Sequence, residues 1–139
     1  MKLSSRRSFT ERCIGYVPDG PGVYIIFDAG GAIYIGRSAV SIQRRLLAHF
    51  KSRGNRNIAL AREVDARLTF SFCRMPVAIQ RDVEAVLIRH LDITSFANLR
   101  RESCPEDWPR EWTRLATQVS NKSTYLETKL RREYVQIQH

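Results

Sequence analysis

Among the side chains of this sequence that can move a proton, hold an anion or hold a cation, five stand out by their spacing: Tyr24, Tyr34, Arg45, His49 and Glu84. A phenol or an imidazole can exchange a proton, a guanidinium can grip two oxygens of an anion with its planar fork, and a carboxylate can ligate a hard cation. Their spacing suggests that they meet. Tyr24 and Tyr34 stand ten residues apart in GVYIIFDAGGAIYIG, and Arg45 and His49 stand four apart, which on a helix puts them one turn above each other on a single face. Glu84 has Leu87, Ile88 and Leu91 three, four and seven positions on, so helical periodicity places a carboxylate where a hydrophobe is expected. Such a charge is costly unless it is satisfied, either by an ion pair with Arg45 or Arg81, the more ordinary use, or by a metal.

The elements that must position these groups can be read locally. Val23 to Phe27 and Ala32 to Gly36 are two β-prone runs separated by Asp28, Ala29, Gly30 and Gly31, a hairpin signal. Because side chains alternate faces, a three-residue loop, Ala29 to Gly31, pairs Tyr24 with Gly36 and Ile26 with Tyr34 and brings both tyrosines to one side. A two-residue loop, Gly30-Gly31, separates them. Gly36 opposite Tyr24 leaves space beside the phenol. A helix then starts from a Ser41 cap and runs toward Gly54, with Ile42, Leu46, Leu47 and Phe50 as its apolar stripe and Arg45 and His49 at the margin.

The order G-V-Y, Y-I-G, R-L-x-x-H, then Glu84 in DVEAVLIRHL and Asn98 in FANLR, resembles the GIY-YIG nuclease superfamily over roughly residues 20 to 99. The resemblance implies a metal-dependent nuclease in which Glu84 holds Mg²⁺ or Mn²⁺, Arg45 contacts the scissile phosphate with Arg37 and Arg44 nearby, and Asn98 has a structural duty at the site. Tyr24 or Tyr34, with Tyr24 the favoured of the pair, would orient or deprotonate the attacking water, and His49 would support it or relay its proton. A phenol with a reference pKa of about 10 is a poor base at neutral pH unless a cation lowers it, a part assigned to Arg37 or His49. Three features depart from the common pattern: Val for Ile in the first signature, Arg37 where many relatives carry lysine, and one extra residue between Gly36 and Arg45. Arg37 is always protonated, so its part can only be electrostatic.

Composition bounds the partners. The 139 residues carry 23 Lys and Arg against 14 Asp and Glu, a formal charge of +9, which favours polyanionic partners, nucleic acid first; that the nucleic acid is DNA is what the family resemblance implies. Cys13, Cys73 and Cys104 are widely spaced without a CxxC, arguing against a disulfide framework or a zinc site. The N-terminus lacks an apolar targeting core and no stretch is long enough to span a membrane, so a cytoplasmic protein is expected.

Along the chain, residues 1–15 read as a mobile basic arm and 16–100 as the nuclease-like core. The core should include a short helix over Ile58 to Ala66 with Arg56, Arg62 and Arg67 around it, a third strand over Leu68 to Cys73, and a helix over Val77 to Leu91 opened by Pro76. Residues 101–139 read as an extension with Trp108, Trp112 and a helix over Thr124 to Ile137, packing on the core or making a homodimer contact. The expected fold is α+β: a small three-stranded antiparallel sheet flanked by helices. The leading functional expectation is a DNA endonuclease; the alternatives are a silent nucleic-acid-binding module and a subunit of a larger repair or restriction assembly.

Overall fold

The computed structural model describes residues 1–28, 31–51, 58, 67–91 and 104–119. In chain order these form β1 (Arg7–Ser8), α1 (Glu11–Gly15), β2 (Gly22–Asp28), β3 (Gly31–Ser38), α2 (Ile42–Phe50), β4 (Thr69–Arg74) and α3 (Val77–His90), followed by helical residues 110–119, here α4. The strands make one antiparallel sheet in the order β1-β4-β2-β3.

That sheet has four strands where three were expected, because the segment read as a mobile basic arm is part of it. Arg7 and Ser8 pair with Phe70 and Thr69, Ser4 N donates to Phe72 O at 2.8 Å, and Phe9 N donates to Leu68 O at 2.8 Å. The arginines are held by aromatic faces. The Arg6 guanidinium lies 3.8 Å from the Phe27 ring centroid and donates from Nε and Nη2 to Thr69 Oγ1 at 3.1 and 2.9 Å, while Arg7 lies 5.0 Å from the Phe72 centroid. Leu3 and Phe9 are buried on either side. A two-residue strand has no alternation to read, so its long-range partners are what reveal it.

The central hairpin reaches the tyrosine-facing register by a different route from the loop expected. Asp28 pairs with Gly31 and Phe27 with Ala32, leaving two residues between the strands, and the register then shifts so that Ile26 faces Tyr34 and Tyr24 faces Gly36. Ile33 is therefore the extra residue of a β-bulge, and both it and Tyr34 belong to the same side of the sheet. Gly31 has a φ of 125°, in a region that glycine enters at little steric cost.

Alternation along β2 divides the core. Val23, Ile25 and Phe27 face α3 and α4, where Val83, Val86 and Leu87 meet Trp112, Leu115, Ala116 and Val119. Tyr24 and Ile26 face the other way, with Phe70 and Phe72 of β4 and Ile14, Ile42 and Leu46 of α1 and α2. Complete burial of such a side chain stabilises the fold by roughly 1.5–3 kcal/mol. The α4 residues fall at helical spacing, a signal in WTRLATQV that the sequence reading passed over in favour of Thr124–Ile137, which lies outside the described residues. Of the expected helix at 58–66 only Ile58 is described; it is helical and buried.

Candidate active site

The site begins with Gly36. A β-carbon there would lie 2.3 Å from both Cζ and Oη of Tyr24 and 2.7 Å from Cε1 of Tyr34, so the missing side chain is the space in which the Tyr24 phenol lies. The two rings sit with centroids 6.0 Å apart, Tyr24 fully buried and Tyr34 half-buried.

Helix α2 supplies the next two groups. Its start is fixed directly after β3: Ser38 Oγ accepts from Ser41 N at 2.9 Å, and Ser41 Oγ caps the helix by accepting from Arg44 N at 3.2 Å. These two serines are positioning residues; only Ser41 was foreseen, since Ser38 acts from beyond the strand end. One face of α2 then lowers His49 onto the tyrosines. Its ring lies 5.6 Å from that of Tyr24 and 5.2 Å from that of Tyr34, and Nε2 is 2.8 Å from the Tyr24 hydroxyl. Arg45 and Arg44 are exposed on the same helix.

Electrostatics fixes the protonation states. Burial pushes the Tyr24 phenol well above its ordinary value and the neighbouring Tyr34 pushes it further, while Arg45 pulls it back by charge and side-chain hydrogen bonding. Burial lowers the His49 imidazole to about 4, and the Arg45 charge adds to this. Arg45 is in turn raised, chiefly by Tyr24. At neutral pH the phenol is therefore protonated and the imidazole neutral, and the imidazole tautomer sets which of the two donates in their 2.8 Å hydrogen bond; with the ring proton on Nδ1, Tyr24 donates to Nε2. The cation acting on the phenol is Arg45; neither Arg37 nor His49 plays the part expected of it.

Arg37 follows Gly36 and so faces the opposite side of the sheet, toward α3. Its Nη1 lies 3.9 Å from Oε1 of Glu84, whose side chain is 12% exposed. An ion pair of the carboxylate with Arg45 or Arg81 was expected; Arg37 is an ion-pair neighbour that was not, and alternation from Gly36 would have indicated it. The fold gathers Tyr24, Tyr34, Arg45 and His49 over Gly36, and brings Glu84 to the next residue of the same strand. Asn98 lies outside the described residues.

Among the described residues no cluster of three or more His, Cys, Asp or Glu side chains could hold a metal. A largely buried carboxylate with oxygen donors alone does fit a hard divalent cation that keeps most of its water, and it does not fit zinc. No described helix is long and apolar enough to cross a membrane.

Residues 20–92 match the family described as the GIY-YIG catalytic domain. Comparison with curated proteins gives no match. Among solved structures the chain is similar to the GIY-YIG N-terminal endonuclease domain of UvrC from Thermotoga maritima, in two tyrosine-to-phenylalanine variants and one asparagine-to-alanine variant, each bound to its catalytic divalent cation. Identities are 25%, 26% and 25%, with a TM-score of 0.51 over 64% of this chain and 93% of each of those chains. The fold, the tyrosine pair over Gly36 and the matched residues agree: the chain belongs to the GIY-YIG catalytic domain family.

Proposed function

We propose that this protein is a metal-dependent endonuclease that hydrolyses phosphodiester bonds in DNA. The observation that carries the reading is the hydrogen bond of 2.8 Å between Tyr24 and a buried, neutral His49, beside the exposed guanidinium of Arg45.

Tyr24 alone is a poor base, since burial holds its phenol protonated. Paired with His49 it can relay: the phenol passes its proton to Nε2 as it takes one from the attacking water. An imidazolium is disfavoured in the free protein by burial and by Arg45. A bound phosphate offsets the Arg45 charge and so makes His49 a better acceptor when substrate is present. Arg45 holds the phosphate through its fork, Arg44 adds an exposed cation, and Tyr34 helps to orient the water. Glu84 would hold Mg²⁺ or Mn²⁺, which supplies Lewis-acid neutralisation of the phosphate and the leaving oxygen.

The net charge of +9 supports a polyanionic substrate. Free thiols at Cys13, Cys73 and Cys104 support a reducing, cytoplasmic setting. The test is cleavage of labelled double-stranded, single-stranded and flap DNA with Mg²⁺, Mn²⁺ or EDTA, comparing wild type with Glu84→Ala and Arg45→Ala. Metal-dependent cutting lost in both variants is expected; cutting that survives Glu84→Ala removes the metal assignment.

A further inference from the structure

Consecutive residues of β3 serve opposite sides of the sheet, Gly36 receiving Tyr24 and Arg37 facing Glu84. The Arg37–Glu84 contact has a particular character. At 3.9 Å it exceeds the 2.7–2.9 Å typical of a charge-assisted hydrogen bond, so it acts through charge rather than through a locked fork. The two ends also differ in solvation: the carboxylate side chain is 12% exposed and the arginine side chain 32% exposed, and each makes other contacts besides this one. The guanidinium is the end more open to an incoming ligand, and the carboxylate on α3 is the more buried one.

A carboxylate this buried needs a counter-charge. In the free protein Arg37 contributes one, and a divalent cation entering at Glu84 must do so beside a guanidinium of its own sign. A nucleic-acid phosphate offers Arg37 a partner that matches its planar fork better than a 3.9 Å contact does. We propose that Arg37 is a charge gate on Glu84: it weakens cation binding in the free protein and turns to the substrate's phosphate when nucleic acid binds, so that cation and polyanion bind with positive cooperativity. The gate rests on the reading of Glu84 as the metal-holding residue. By linkage the coupling is reciprocal, the cation tightening nucleic-acid binding by the same factor.

The test is direct titration of the full chain with Mn²⁺, following the electron paramagnetic resonance signal of the free ion. It compares wild type, Arg37→Gln, Arg37→Lys and Glu84→Gln, with and without a phosphorothioate-linked duplex oligonucleotide that resists cleavage. Without the duplex, Arg37→Gln is expected to bind Mn²⁺ roughly five- to tenfold more tightly than wild type, the effect of removing one partly solvated like charge a few ångströms away. Arg37→Lys, which keeps the charge, should stay close to wild type. The duplex should tighten Mn²⁺ binding to wild type by about that factor and change Arg37→Gln little. Equal or weaker Mn²⁺ binding by Arg37→Gln, with binding lost in Glu84→Gln, overturns the gate and leaves the metal assignment standing. Binding that is unchanged in Glu84→Gln overturns the metal assignment itself.

Discussion

The hydroxyl of Tyr24 and Nε2 of His49 are 2.8 Å apart inside the fold, and their surroundings decide which of them holds the proton. Both shifts, the phenol up and the imidazole down, follow chiefly from burial. Nitrogen-15 NMR of the imidazole should therefore show a neutral ring at pH 6, where an exposed histidine is largely charged, and the relay requires the proton of that ring to sit on Nδ1. Titration should occur near 4.

The same shift makes stability depend on pH. With a reference pKa of about 6.5 in the unfolded chain and about 4 in the fold, His49 binds more protons when unfolded over that interval. Its contribution is fully present above pH 6.5 and is lost as pH falls toward 4, by at most about 3 kcal/mol. Thermal unfolding from pH 7 to pH 4 should fall more steeply for wild type than for His49→Gln, which has no proton to bind.

Substitution of Gly36 by alanine places a methyl group 2.3 Å from the Tyr24 hydroxyl, so the phenol or the strand must move. We expect a loss of about 1–3 kcal/mol in stability, as for an overpacked core. Cleavage should fall by roughly 100-fold or more, the scale of misplaced catalytic groups. Gly15, whose β-carbon would meet nothing within 4 Å, is the control: Gly15→Ala should stay within about 0.5 kcal/mol of wild type. Calorimetry and single-turnover cleavage distinguish the two.

Removing only the Tyr24 hydroxyl tests the relay. Tyr24→Phe should keep the fold and slow single-turnover cleavage by roughly 10²–10⁴-fold, the range of general acid–base catalysis. Arg45→Lys keeps the charge but loses the fork, and should be impaired at the phosphate while remaining better than Arg45→Ala. Equal rates for Tyr24→Phe and wild type would exclude Tyr24 from the proton path.

Arg6 should matter to stability alone. Burial lowers its guanidinium to about 10, which leaves it charged at neutral pH, stacked on Phe27 and bonded twice to Thr69 Oγ1. Arg6→Ala should cost about 1–3 kcal/mol in a thermal or denaturant melt, through the lost cation–π contact and hydrogen bonds.

The sequence alone determined what short-range periodicity can carry. Alternation in β2 and β3 and the glycines between them specify the hairpin, a four-residue step puts Arg45 and His49 on one helix face, and the lone carboxylate in an apolar row marks Glu84. These are properties of a strand or helix before it packs, so they can be read from spacing. Tertiary structure decided the rest. The β-bulge at Ile33 set the register that a longer loop was expected to set, and β1 joined the sheet because β4, sixty residues on, offered its edge and Phe27 and Phe72 offered their rings. Burial between α2 and the sheet made His49 neutral, and the packing of α3 on the far face brought Glu84 beside Arg37, a neighbour that helical spacing did not indicate. Each of these depends on which distant surface a residue meets and how much water is left there, and neither quantity is written in the local pattern.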